Sequence, residues 1–366
     1  MSADLSGLRE LHRKARAALD PVHYDYYAGG AGDEVVLAEN EAAFRRLALL
    51  PRVLRGSPAR DIAVDLPGGR LGLPVLIAPT AFHRLAHPDG ELATARAAAA
   101  AGTVLVSGMA STVGIDDVTT AARAVDADAA VWFQLYLQPD EDVTANLVRR
   151  AERAGCTALV VTADSPVFGR HRRDVRHGFH DLPAGLAAEN MRGLSGGPPG
   201  GTRDIEMSPA VSWDHLSRLR ELTSLPLWLK GVLHPQDARR AVRHGVDGLF
   251  VSNHGGRQSD LAPAALDALP AVVAEVAGRM PVVLDGGVRR GGDVAVALAL
   301  GAAAVGIGRP VLWGLAADGE AGVARVLAVL RDEFDHVLAL CGGRGLADLT
   351  PDLVVTRGPG RCGRCG

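Results

Sequence analysis

Short runs of apolar, β-rich residues recur along this chain, each followed by a glycine-rich or polar loop and then by an alanine-rich stretch with helical spacing. That alternation marks βα units feeding a parallel sheet. Eight such runs stand out, at residues 75–78, 103–107, 131–136, 158–162, 227–230, 248–252, 282–285 and 304–307. Eight is the number that closes a barrel, so the expected fold class is α/β, a (β/α)8 TIM barrel, with an open doubly wound sheet as the alternative.

The flanks read differently. Residues 1–72 are expected to be helical, around the turn Gly29-Gly30-Ala31-Gly32, and to extend a barrel spanning 73–350 rather than fold alone, which makes 1–366 a single domain. Residues 180–213 contain the run Leu194-Ser195-Gly196-Gly197-Pro198-Pro199-Gly200-Gly201, which cannot hold regular structure, and are expected to form a lid loop after strand 4. Residues 351–366 read as a tail, frayed from Arg357 on, in which Cys362 and Cys365 are free thiols rather than half of a zinc site, so no metal is expected.

Composition narrows the function classes. A chain of 366 residues, 48% apolar and 22% charged, buries a large core, which excludes disorder as its main state. With 39 basic and 42 acidic side chains the formal charge is -3, so there is no global basic field for nucleic acid. Four cysteines fit a reducing compartment, and the cytoplasm is the expected location. The first twenty residues mix charges at helical spacing, unlike a secretory signal. The most apolar stretch, residues 294–308, is too short to cross a bilayer, which needs about 20 residues, so no membrane partner is expected.

In a barrel, residues that directly follow the strands converge on one mouth although they are distant in sequence. Here they are Pro79-Thr80-Ala81, Ser107, Gln134 with Tyr136, Thr162 with Asp164, Lys230, Asn253-His254, Asp285-Gly286-Gly287 and Gly306-Ile307-Gly308-Arg309. The last two loops, with Arg289 and Arg309, follow strands 7 and 8, where barrels hold phosphate on backbone N–H groups. Lys230 ends an apolar strand and admits two roles, Schiff-base nucleophile or fixed positive charge beside an anionic state. Ser252-Asn253-His254-Gly255-Gly256-Arg257 sets a proton acceptor next to a cation able to hold a carboxylate, which suits proton abstraction beside a carboxylate. Asp164 can pair with the imidazole or cap its own turn.

At these residues, and at Tyr24-Asp25-Tyr26-Tyr27, the chain resembles the FMN-dependent α-hydroxy acid oxidases and dehydrogenases, a family that includes glycolate oxidase, lactate oxidase and mandelate dehydrogenase. The resemblance implies FMN as cofactor, with Arg289, Gly308 and Arg309 on its phosphate. Ser107, Gln134, Thr162 and Ser252 would take the ring and ribityl chain, with Asp285, Gly286 and Gly287 in the same cofactor loops, and the Pro79–Thr80–Ala81 backbone would flank the reactive edge. Lys230 would face N1 of the isoalloxazine, where reduction places negative charge, so the electrostatic role displaces the Schiff base. Arg257 and Tyr24 would hold the substrate carboxylate, Tyr136 its hydroxyl, and His254, paired with Asp164, would be the base that turns a 2-hydroxy acid into a 2-oxo acid. Ala81 leans towards oxygen as acceptor with hydrogen peroxide as product, a quinone-type acceptor being the alternative, and the family tends towards homotetramers.

Two positions depart from the family. His171 stands where a second carboxylate-binding arginine is expected, and is assigned to the substrate site, where it serves in the arginine's place unless Arg170 or Arg172 does so or the substrate lacks a simple carboxylate. Met109 stands where short-chain enzymes carry tryptophan; with Phe82 nearby it leaves room for an aryl or medium-chain substituent, unless it is merely a core methionine.

Overall fold

The structure, a computed structural model, describes residues 7–56 and 59–357. Eight parallel strands close into a barrel: Val75–Ile77, Leu105–Gly108, Val131–Leu135, Ala158–Thr162, Leu227–Val232, Gly248–Val251, Val282–Asp285 and Ala304–Ile307, here barrel strands 1 to 8. Each forms where apolar runs were read, with ends moved by at most two residues. Side chains alternate along a strand, so every second residue points inward. Leu76, Val104, Val106, Trp132, Val160, Trp228, Phe250 and Val283 form one buried cluster inside the barrel, while the other parity packs with the surrounding helices in a second.

The N-terminal segment is not purely helical, contrary to the sequence expectation. After helices Leu8–Ala18, Pro21–Ala28 and Val35–Arg45 comes a hairpin, Val64–Leu66 and Gly69–Leu71, that closes the end of the barrel away from the mouth. Two core tryptophans dictate this. Their indoles stack 4.9 Å apart, and buried indole N–H groups need acceptors, which the hairpin turn supplies: Trp132 donates to Gly68 O at 2.9 Å and Trp228 to Pro67 O at 3.0 Å. Gly68 has φ +95°, and a Cβ there would lie 2.7 Å from Thr157 O.

The tail was expected to fray from Arg357 on, but Arg357 is held, its N donating to Arg46 O at 2.7 Å and its Nε to Leu47 O at 2.9 Å. The residues before it are paired too, Leu47–Leu49 running antiparallel with Val354–Thr356; Cys362 and Cys365 lie outside the described residues. Residues 180–213 hold little regular structure, a 3-10 turn at Glu189–Met191 and a bridge between Arg192 and Thr202, but they divide in two. From Glu189 on they form a fixed wall. Glu189 N bonds Ser111 O, Asn190 bonds Ile115 N and Gly108 O, and Gln138 bonds both N and O of Glu206. Upstream, Phe179, Leu182 and Leu186 instead lay apolar side chains among Tyr26 and Phe82 at the mouth.

Helix Pro21–Ala28 also belongs to the mouth. It starts where Asp20 caps Val22 N and proline occupies the first turn, and it ends with outward-facing carbonyls that attract cations. Among the described residues no helix is long and apolar enough to cross a membrane.

Candidate active site

Counting two residues on from the barrel's inner cluster gives the layer at the mouth: Ala78, Gly108, Gln134, Thr162, Lys230, Ser252, Asp285 and Gly306, one from each strand. Strands 8, 1 and 2 are neighbours, and their Gly306, Ala78 and Gly108 leave one side of the mouth open. The other five are polar and buried. Above them opens a cavity of about 1740 Å³, lined by Pro79 to Phe82, Tyr136, His254, Arg257, the glycine loops after strands 7 and 8, and part of the lid segment.

This parity corrects one assignment. Ser107 points away from the mouth and meets Ser111 Oγ at 3.2 Å, while Gly108 lines the cavity in its place. The strand boundary was legible, but its phase was not. Met109 likewise turns outward into the core, fully buried, and Ala110 faces the cavity.

The polar side of the layer contains groups that need a partner. Lys230 Nζ donates to Ser252 Oγ at 3.0 Å and lies 3.4 Å from Asp285 Oδ2. Gln134 Nε2, Thr162 Oγ1 and Asp285 Oδ1 are buried without any hydrogen-bond partner in the chain. Orphaned buried polar atoms are rare, and here they sit at the edge of a slot left by three small residues. That combination fits a flat ring with polar edges and a hydroxylated chain, which is what FMN offers.

The phosphate end is decided by which helix terminus is free of its own carboxylate. After strand 7, Asp293 Oδ2 already accepts from Arg289 N and Arg290 N, so helix Gly291–Ala299 is capped from within. The helical segment Arg309–Leu340, after strand 8 and kinked at Asp318 and Gly319, has Gly308 as its N-cap with no side-chain cap. Arg289 also lines the cavity, held by Glu41 at 3.0 Å. The Arg309 side chain goes elsewhere than expected. It donates to Tyr27 O, Gly29 O and Gly255 O at 2.8–3.0 Å, which leaves its backbone for the phosphate. Burial, then the nearby Arg257 and Arg289 cations, push its pKa down to about 9.

On the substrate side, His254 Nδ1 lies 2.9 Å from Asp164 Oδ1, which leaves Nε2 for the cavity. The ring is set by an unusual backbone, φ +59°, with His254 N bonded to Ser252 Oγ at 3.0 Å. A reciprocal amide pair holds the loop below it: Asn40 and Asn253 exchange hydrogen bonds of 2.9 and 2.8 Å. Burial alone would raise the Asp164 carboxyl, but the charge and hydrogen bond of His254, with Lys230 and Ser165, hold it below the usual carboxylate range. The dyad role therefore displaces the turn-capping role.

Arg257 Nη1 donates to Tyr26 O and Gly29 O at 2.8 and 2.9 Å, and its guanidinium stands 5.1 Å from the centroid of the Tyr26 ring. Tyr24, assigned to the carboxylate, is not brought to the site. Two helical residues rotate by about 200°, which sends Tyr24 to the opposite side, bonded to His12 at 2.9 Å and stacked near Trp313. Tyr26 lines the cavity instead, and only the phase of helix Pro21–Ala28 distinguishes the two. Burial raises the hydroxyl pKa of both Tyr26 and Tyr136, keeping them protonated donors. Among residues not singled out from the sequence, Tyr26, Ala110, Phe179, Leu182, Leu186 and Asn40 shape the site.

Residues 15–356 match the family described as FMN-dependent dehydrogenase. Glycolate oxidase of Spinacia oleracea is 44% identical over 355 residues, 95% of each chain. L-lactate oxidase of a Nostoc species is 46% identical over 351 residues, 93% of this chain and 96% of that one. A crystal structure of mandelate oxidase with 3,3-difluoro-2-hydroxy-3-phenylpropionic acid superposes with a TM-score of 0.87 at 40% identity, covering 96% of this chain and 98% of that one.

Proposed function

The chain belongs to the FMN-dependent dehydrogenase family, and from that premise we propose that it oxidises a 2-hydroxy acid to the 2-oxo acid, with dioxygen as the electron acceptor. The observation that carries this reading is the His254–Asp164 dyad, beside Arg257 on one loop and above the buried Lys230 ammonium. Bound FMN supplies the two-electron acceptor, and its reoxidation by dioxygen gives hydrogen peroxide. Gln134, Thr162, Asp285, the backbone around Pro79–Ala81 and the Gly308–Arg309 turn would hold it, and Lys230 would offset the negative charge that reduction places on the ring.

The chain's own residues divide the remaining work. Arg257 and the Tyr26 hydroxyl hold the substrate carboxylate, Tyr136 donates to its hydroxyl region, and His254 Nε2 removes a proton. Asp164, held ionised, then stabilises the imidazolium and keeps Nδ1 as donor. Anaerobic mixing with glycolate, lactate, mandelate and longer 2-hydroxy acids tests the reading: at least one should bleach the bound flavin, and readmitted oxygen should restore the colour with release of peroxide. Bleaching that oxygen reverses only slowly would favour the dehydrogenase alternative with a quinone-type acceptor.

For the substituent we infer an aryl or medium-chain group. Ala110, Phe82, Phe179, Leu182 and Leu186 make an apolar wall at the mouth, where Ala110 is smaller than the methionine expected from sequence. Filling that space should reverse the preference. Ala110→Trp is expected to lower kcat/KM for mandelate relative to glycolate by about tenfold or more. An unchanged ratio would place the substituent elsewhere.

The phosphate assignment has its own consequence. Arg309, Arg257 and Arg289 are like charges at close quarters, Arg309 partly buried, and a phosphate dianion relieves that repulsion. Removing FMN should therefore lower Tm, and FMN at a hundredfold excess over its Kd should add about 2.7 kcal/mol of stability. Inorganic phosphate should recover part of the loss, whereas riboflavin without phosphate should recover less than FMN.

A further inference from the structure

We propose that His171 is a positioning residue rather than a ligand of the substrate. Its ring holds the main chain of Arg257 in place, and the acid group of the substrate is anchored through Arg257. This inference rests on the 2-hydroxy acid reading above.

The ring of His171 has both nitrogens engaged. Nε2 lies 2.9 Å from Arg257 O, and because a carbonyl can only accept, Nε2 donates. Nδ1 lies 3.1 Å from Asp174 Oδ2, on the short helix Arg172–His177 that His171 itself begins. Neither nitrogen is left for a carboxylate in the cavity.

Gly169, two residues before His171, crowds the same carbonyl. A Cβ at Gly169 would stand 2.0 Å from Arg257 O, so the loop after strand 4 runs directly against it. Gln258, the next residue, bonds Ser165 on that loop. Two loops are thus fastened at successive points: His254 to Asp164, Arg257 to His171, and Gln258 to Ser165. The Arg257 side chain is fastened separately, to Tyr26 O and Gly29 O at the end of helix Pro21–Ala28. Its guanidinium is therefore oriented from the main chain by His171 and from the head group by the helix carbonyls. An arginine at 171 would bring a long, mobile side chain; histidine brings a short rigid bridge instead.

The test is a double-mutant cycle read by binding. Benzoylformate, a 2-oxo acid that does not turn over, is titrated into the oxidised holoenzyme and followed by its perturbation of the flavin absorbance. His171→Leu should weaken binding about tenfold, the effect of leaving one half-buried carbonyl without its donor. His171→Gln, which keeps an N–H donor at similar reach, should recover most of that loss, so a failure of the leucine variant to fold does not decide the matter. In an Arg257→Met background, His171→Leu should add less than about twofold. A full tenfold effect in that background would make His171 an independent ligand and overturn the proposal, as would unaltered binding by the leucine variant. If the unsubstituted enzyme neither binds benzoylformate nor bleaches with any 2-hydroxy acid, the functional reading falls and takes this one with it. Normal binding and bleaching with an additive cycle removes only the role of His171.

Discussion

His254→Ala is expected to slow reduction of the bound flavin by a saturating 2-hydroxy acid about 10²-fold or more, the scale lost when a general base is removed. The geometry makes the loss hard to compensate. Nδ1 is held by Asp164 and the backbone is held at φ +59° by Ser252, so no other base occupies that direction by a small shift. The substitution also changes the partner. Without the imidazole, burial acts on Asp164 against only Lys230 and Ser165, so its carboxyl pKa moves up. Residual flavin reduction in the variant should therefore fall as pH drops into the range where Asp164 protonates. Single-turnover stopped flow measures both effects, and a rate within a few fold of the unsubstituted enzyme would sink the assignment of the base.

Lys230→Met is expected to cost about 10²–10³-fold in flavin reduction and to lower the flavin midpoint potential, because a preorganised charge in a dry site is worth far more than one in water. It also threatens the fold. Asp285 has Oδ1 unpartnered and Oδ2 3.4 Å from the ammonium, so methionine strands a buried carboxylate, a change that costs about 3–5 kcal/mol. The two consequences can be separated. Lys230→Met with Asp285→Asn removes the stranded charge and should recover most of the lost Tm, while the potential stays low. Recovery of the potential together with Tm would show that Lys230 acts only through packing.

How far the chain's function could be read before folding depends on the residue. His254 and Arg257 lie within four positions, and Asp164 follows a strand of unmistakable character by two residues, so local chemistry is enough to single them out. Tyr26 and Tyr24 are two residues apart in a run of aromatic residues, and composition cannot rank them; the rotation of one helix does. Ser107 and Gly108 are adjacent, and a strand buried on both faces carries no alternation of apolar and polar residues that would say which of them faces the ligand. The Arg309 side chain and backbone part company because three carbonyls from distant segments, at Tyr27, Gly29 and Gly255, capture the guanidinium. No spacing rule anticipates such a meeting.

From the order of its residues alone this chain declares eight barrel strands, two glycine loops after the last two of them, a lysine at a strand end and a histidine beside an arginine. These follow from periodicity and from side-chain chemistry that acts over a few neighbouring positions. Which serine or glycine faces inward, which tyrosine meets Arg257, how residues 64–71 plug the far end and what His171 grips are settled by packing between segments tens to hundreds of positions apart. Phase along a strand or helix is decided by the surface it is pressed against, and that surface exists only once the whole barrel has closed.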